Sequence, residues 1–244
     1  MVASEYVDWL GVPAGAAWLD VGSGAGGVTK TILDIADPAS VEGVDLSPAY
    51  VEYARERITD QRASFDVDDA AKLAGKADGS FDAVVSGLVL NFVPEPASAV
   101  NSMARAAKPG GTIAAYVWDY AGEMQFMRYF WDAAVELFPE AAPLDEAIRF
   151  SICNPEGLTR LWKAAGLGQV ETRAIDIPTV FSDFDDFWSP FLGGQGSAPT
   201  FVTSLTDADR TALKNLIASH LPFHTDGSIH LIARAWAVRG FKPS

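Results

Sequence analysis

Four glycines within six residues, closing a short apolar run, constrain this chain more than any other feature. The stretch is WLDVGSGAGG, Trp18 to Gly27. Trp18, Leu19 and Val21 surround a single acid, Asp20, and helical spacing follows at once from Gly27 to Ala36. This pattern predicts a buried strand, a tight turn and a helix. Glycines at 22, 24 and 26 let the backbone take positive φ and let a ligand approach main-chain N–H groups at a helix start, whose dipole favours electron-rich atoms.

The loop satisfies G-x-G-x-x-G through Gly22, Gly24 and Gly27, a pattern shared by dinucleotide-binding proteins. Asp20 sets it apart. A carboxylate two residues before the first glycine suits a cationic ammonium group and repels a pyrophosphate. The segment SVEGVD (40–45) reads as a second strand ending in Asp45, where a carboxylate can accept from both hydroxyls of a ribose. Ser47 and Pro48 then supply an N-cap and an N1 proline for a helix, placing Leu46 and Tyr50 near the face of a base or in the core. A third strand, ASFDV (63–67), runs into Asp68, Asp69 and Ala70. An acid followed by a small residue there can take an adenine amino group on its side chain and a ring nitrogen on its backbone. Asp68 competes with Asp69 for that role, and both acids could instead cap the next turn. A fourth strand is read over Phe81–Ser86, its following loop starting at Ser86-Gly87, with a helix from Pro94–Pro96 to about Ala107. Lys108-Pro109-Gly110-Gly111 then stops the helix and reverses the chain into a strand over Thr112–Trp118.

Residues 16–118 together resemble the class I S-adenosylmethionine (SAM) methyltransferases, in particular the group typified by ubiquinone and menaquinone biosynthesis enzymes. Asp20-x-Gly22-x-Gly24-x-Gly26 matches motif I of that family, Asp69-Ala70 its "DA" pair, and Lys108-Pro109-Gly110-Gly111 the turn before its fifth strand. The resemblance implies an α/β fold: a doubly wound, seven-stranded, mostly parallel Rossmann-like sheet whose last strand, here 228–238, lies antiparallel between strands five and six. It also implies SAM as cofactor, S-adenosylhomocysteine as product, and transfer of a methyl group to O, N or C of a small, fairly apolar molecule. The donor would be held by Asp20, Gly22, Gly24, Gly26, Asp45, Leu46, Asp69 and Ala70, with Ser86 and Leu88 lining the sulfonium side. Asn91 stands where many such enzymes carry His, which removes one general base. Two other readings remain open: a SAM-binding protein that does not methylate, such as a regulator or a cyclising enzyme, and a nicotinamide-dependent oxidoreductase on the same fold. Ser86-Gly87-Leu88-Val89 is not the Asp/Asn-Pro-Pro-aromatic tetrapeptide of nucleic-acid amino-methyltransferases.

A length of 244 residues fits one domain over 1–244 with insertions about 119–153 and 178–226. Both insertions carry many aromatic residues and would leave the sheet near the carboxyl ends of strands five and six. They read as helical lids over an apolar substrate, or as ordinary core. Strand six is read over 168–177, and GGQGSAP (193–199) as a ligand-approaching loop or a plain turn. The net charge of −14 disfavours nucleic acid and anionic lipid as partners. No apolar run is long enough for a transmembrane helix and no signal peptide is read, so the expectation is a cytoplasmic enzyme without membrane insertion, monomeric or homodimeric. Cys153 reads as a small buried hydrophobe, and His220, His224 and His230 offer no metal-ligand spacing. Should a base be used, His224, just before the last strand, is preferred over His220 and His230. Asn91, Trp118, Asp119 and Tyr120 are read as groups that orient the substrate.

Overall fold

The structure, a computed structural model, describes residues 1–193 and 196–243. Two compact units emerge. The first comprises Met1–Val117, Asn154–Ile175 and the chain from Trp236 on; the second comprises Trp118–Cys153 and Asp176–Ala235.

In the first half, helix α1 (Val2–Leu10) precedes β1 (Ala17–Val21), α2 (Gly27–Ile35), β2 (Ser40–Asp45), α3 (Pro48–Arg57), β3 (Ala63–Val67), β4 (Phe81–Gly87) and α4 (Pro96–Ala106). Strand β5 (Ala107–Trp118) follows, then α5 (Gln125–Leu137), α6 (Glu146–Arg149), α7 (Pro155–Ala164) and β6 (Gly168–Phe181). The chain ends through α8 (Phe184–Trp188), α9 (Ser197–Ser204), α10 (Asp207–His220) and β7 (Ile229–Phe241). The order across the sheet is β3-β2-β1-β4-β5-β7-β6.

β1 pairs in parallel with both β2 and β4, and its residues Trp18, Leu19, Asp20 and Val21 are fully buried, as expected of a strand covered on both faces. β7 runs antiparallel to its neighbours. The Lys242 amide donates to the Gly111 carbonyl and the Asp119 amide to the Arg234 carbonyl, so β7 descends as β5 rises. Arg239 pairs with Glu171 and Arg234 with Asp176 in the same descending sense against β6. After β1 the chain winds towards β2, and after β4 towards β5. The two strands flank the point where winding direction reverses, and their carboxyl ends open the crevice in which such sheets bind ligands.

Three boundaries differ from the sequence reading. Lys108–Gly111 does not precede β5 as a free turn but bulges within it: Phe81 pairs with Ala107 and Ala83 with Thr112, leaving four residues opposite Asp82. Asp82 holds this bulge by accepting from Lys108 Nζ (2.8 Å) and from the Ala17 amide (2.9 Å). β6 runs through Pro178 to Phe181, because an edge strand tolerates a residue without an N–H. Of the GGQGSAP segment, Gly194 and Gln195 lie outside the described residues; α9 begins at Ser197.

Helix α1 packs on α2 and is clasped by β7. Arg239 Nη1 donates to the Trp9 carbonyl (2.6 Å) while its guanidinium lies 4.7 Å from the centre of the Trp9 ring. In the second unit, Phe130, Trp131, Phe187, Trp188 and Phe191 are buried together, with Phe191 stacked on Phe130 (4.3 Å) and Phe126 (4.6 Å). Most of the aromatic residues read as lid are thus the hydrophobic core of that unit. Among the described residues no helix is long and apolar enough to cross a membrane.

Candidate functional site

The loop after β1 is shaped by three left-handed residues, Gly22 (φ +74°), Gly24 (φ +52°) and Gly26 (φ +84°). The amides of Gly22 and Ser23 both donate to the Val44 carbonyl, at 2.7 and 2.9 Å, which ties the loop to β2. Space around the glycines is unequal. A Cβ at Gly24 would meet nothing within 4 Å, but one at Gly22 would lie 2.5 Å from both Val89 methyl groups. Gly22 is therefore required by an incoming side chain as well as by its φ.

Asp45, at the end of β2, completes the loop from below. Its Oδ2 accepts from the Gly24 amide (2.9 Å) and its Oδ1 from the Ser47 amide (2.9 Å), while Ser47 caps α3. Each oxygen keeps a second acceptor site. Beside it Leu46, Tyr50 and Val67 expose more than half of their surface, an apolar rim where the ends of β2 and β3 meet α3.

Asp20 does not project from the loop. Its carboxylate is fully buried, Oδ2 accepting from Thr29 Oγ1 (2.7 Å) and the Thr29 amide (3.0 Å), and Oδ1 meeting no donor. Burial raises its pKa to about 6, against the lowering effect of the two Thr29 bonds, and the Asp45 charge adds to the rise.

After β3, Asp68 organises its own loop: it accepts from the amides of Asp69 (2.8 Å), Ala74 (3.2 Å) and Gly75 (3.0 Å). That commitment leaves Asp69-Ala70 as the outward pair. The Asp69 carboxylate, half-exposed, accepts from the Ala71 amide and pairs with Lys72, and both contacts lower its pKa. No helix follows; residues 69–75 form turns. Three residues that sequence reading missed hold this segment. Ser102 donates to the Ala71 carbonyl, Arg105 to the carbonyls of Lys72, Leu73 and Lys76, and the buried Lys76 ammonium bridges Glu42 and Asp66.

After β4, the Ser86 hydroxyl donates to the Val21 carbonyl (2.8 Å), buried between β4 and β1, so it braces the sheet. Leu88 takes φ +60° and its amide donates to the Tyr116 carbonyl. This strained residue turns the next one, Val89, onto Gly22. Asn91 follows in a single 3-10 turn, Leu90–Phe92, its Nδ2 buried without an acceptor.

The remaining candidates lie in the second unit. Tyr120 packs against Phe150 and its hydroxyl is held protonated well above the usual range by burial, with Cys153 and Glu146 adding to the shift. Burial likewise pushes the Cys153 thiol up to about 12, which leaves it inert at neutral pH. Asp119 is taken up by the amides of Gly122 and Glu123, Trp118 is partly buried, and His220 is exposed at the end of α10. His224 is exposed on the turn before β7, 4.2 Å from the ring of His230, whose Nε2 lies 3.1 Å from Ser228 Oγ.

Comparison with known proteins agrees with this geometry. Residues 19–115 match a family model described as a methyltransferase domain. Ubiquinone biosynthesis O-methyltransferase of Xanthomonas axonopodis pv. citri (strain 306) is 36% identical over 114 residues, 46% of this chain and 47% of that protein. The chain thus spans about half the length of the curated relatives it matches. A putative methyltransferase from Bacillus halodurans C-125 shares the fold over 99% of both chains, at 16% identity and a TM-score of 0.66. Phosphoethanolamine N-methyltransferase 2 of Haemonchus contortus, solved with S-adenosyl-L-methionine, shares it over 100% of this chain and 52% of its own, at 20% identity and a TM-score of 0.61. The glycine loop and the strand-end carboxylates Asp45 and Asp69 lie within the stretch that is similar to a methyltransferase domain, residues 19–115.

Proposed function

We propose that the protein transfers a methyl group from SAM to O, N or C of a small, fairly apolar molecule. The observation that carries this reading is a set of buried polar atoms without partners on the loops ending β1 and β4: Asp20 Oδ1, Ser23 Oγ and Asn91 Nδ2. Folded proteins rarely leave such atoms unsatisfied, and together they call for a polar ligand at the carboxyl edge of the sheet. The residues present fit the donor. Asp45 would take the ribose hydroxyls, Asp69 and Ala70 the adenine edge, Leu46, Tyr50 and Val67 its faces, and the Gly22–Gly26 loop with Asp20 the amino-acid end. When bound, SAM supplies a methyl group activated by a sulfonium.

The chain's own contribution is binding and alignment. Asn91 offers an amide donor, which can orient an acceptor oxygen but cannot remove its proton. Tyr120, held protonated, is likewise a donor, and His224 alone of the three catalytic candidates can act as a base. The net charge of −14 supports a partner other than nucleic acid. Titration calorimetry with SAM and S-adenosylhomocysteine tests the donor site. We expect micromolar-range binding by the wild type, its loss in Asp45→Ala and its weakening in Asp20→Asn. Binding of neither ligand by the wild type would overturn the reading. Formation of S-adenosylhomocysteine with a panel of acceptors would then establish catalysis.

A further inference from the structure

Among the described residues, and out of the 18 lysines and arginines, only Arg160, Lys163 and Arg173 have side chains in no ion pair, hydrogen bond or ring contact. All of them fall in α7 and β6, within the first unit. α7 lies on the sheet through buried Leu158 and Trp162, whose indole donates to the Ile113 carbonyl (2.9 Å). Helical spacing gathers Pro155, Glu156, Thr159, Arg160 and Lys163 on the stripe beside that contact. β6 is the edge strand of the sheet; its Thr172 turns towards the same stripe, and Arg173 leaves on the other face. Thr172 and the five helical residues line one cavity of about 560 Å³. Among the described residues the hydroxyls of Thr159 and Thr172 have no hydrogen-bond partner either.

Acids outnumber bases 32 to 18 in this chain, so a base without an acid is one that the fold keeps apart. Glu156 precedes Arg160 by one helical turn without pairing with it. A guanidinium presents a fork of N–H donors, an ammonium a compact charge with three, and each hydroxyl one more. The oxygens of one small, multiply charged anion can accept from all four groups. We propose that the cavity between α7 and β6 binds the phosphate group of a small phosphorylated molecule. Arg160 and Lys163 meet its charge, and Thr159 and Thr172 donate to its oxygens. The size of the ligand follows from the rest of the surface. At physiological ionic strength charges are screened over about 8 Å, so a small anion seated here feels the two bases, Glu156 and little else. A nucleic acid or an anionic membrane would extend beyond that range over a surface that is acidic on balance. None of the lining residues belongs to the loops that end β1, β2, β3 or β4, so the cavity is separate from the proposed donor site.

Amide NMR spectra of the isotope-labelled protein, titrated with glycerol 3-phosphate at constant ionic strength, test this. Saturating shifts are expected at the amides of residues 156–163 and at Thr172. Arg160→Gln and Lys163→Gln should each weaken binding about fivefold or more, since each removes a charge-assisted hydrogen bond. Glu156→Gln should tighten it about twofold or more, because the one acid in the cavity opposes the anion. The three side chains are exposed, and unchanged spectra away from α7 and β6 show that each variant is folded. Shifts that do not saturate, that lie elsewhere, or that are the same in the Arg160→Gln/Lys163→Gln double variant overturn the proposal and leave a solvated helix face. Displacement of glycerol 3-phosphate by S-adenosylhomocysteine overturns it too, by making the two sites one. Retention of the protein on phosphatidylcholine vesicles containing phosphatidic acid, with no binding of glycerol 3-phosphate, overturns it in favour of a membrane-facing patch.

Discussion

A methyl group added to Gly22 would strike Val89, whereas one added to Gly24 would meet open space, although both residues have positive φ. Left-handed backbone costs an L-residue about 1–2 kcal/mol at either position, and overpacking adds about 1–3 kcal/mol only at Gly22. Urea unfolding should therefore find Gly22→Ala the more damaging by about 2 kcal/mol, with Val89→Ala restoring part of the loss in the double variant. Equal costs for the two alanines would show that Val89 yields freely. Asp20 makes a second prediction. Its folded pKa, about 6, exceeds the ordinary carboxylate value of 3.8, so the folded state binds the proton more tightly. Stability is then greatest below pH 3.8 as far as this group is concerned, and falls as pH rises from about 4 to 6, by about 1.4 kcal/mol per decade. Asp20→Asn fits the site, keeping an oxygen for Thr29, and lacks that slope. Relative to the wild type it should gain roughly 2–3 kcal/mol between pH 4 and 7.5 in urea titrations; a constant difference would place Asp20 among ordinary carboxylates. Asp20, Asp45 and the glycines were legible in sequence because each is fixed by its place next to a strand end. Val89 was not. Its role arises from an approach to Gly22 across 67 residues of chain that no local pattern records. Ser86 and Asp68 show the converse, since a polar residue at the right place in the chain can still be committed to the backbone beside it.

At the scale of elements, helix α4 and the turn after β3 form one mechanical piece. Arg105 gathers three carbonyls of that turn, Ser102 a fourth, and Lys76 fastens its far end to β2 and β3. Arg105→Ala should leave the sheet intact but loosen residues 69–77, read as faster hydrogen exchange there and unchanged exchange in β1 and β4. The global cost should be about 1–3 kcal/mol, since several buried carbonyls lose their donor. Faster exchange throughout would instead make Arg105 a general stabiliser. The element boundaries follow the same physics. β2, β3 and the start of α3 were readable because burial on a parallel sheet and the Ser-Pro cap leave strong local marks. The true end of β6 was hidden by Pro178, a breaker everywhere except at an edge, and the bulge in β5 by glycines that read as a free turn.

Over the whole molecule the net charge of −14 opposes compaction: most Lys and Arg side chains are already paired with acids, and acids remain in excess. Raising ionic strength from 0.01 to 0.15 M shortens the screening length from about 30 to about 8 Å. The melting temperature should rise by roughly 2–4 °C for each kcal/mol of repulsion so relieved; a flat or falling response would mean that the internal ion pairs outweigh the repulsion. The division into two units was legible only as composition. Whether an aromatic side chain lines a pocket or fills a core depends on its neighbours in space, and the stack of Phe126, Phe130 and Phe191 joins residues 65 apart. The clasp between Arg239 and Trp9 spans 230 residues, and it sets an order of events in folding. Nine helical residues are too few to persist unaided in water, so α1 depends on its packing partners, α2 and β7. Packing on α2 can begin early, but the clasp closes only after Arg239 has been made. A growing chain can therefore carry a finished glycine loop before the clasp on the helix beside it has closed.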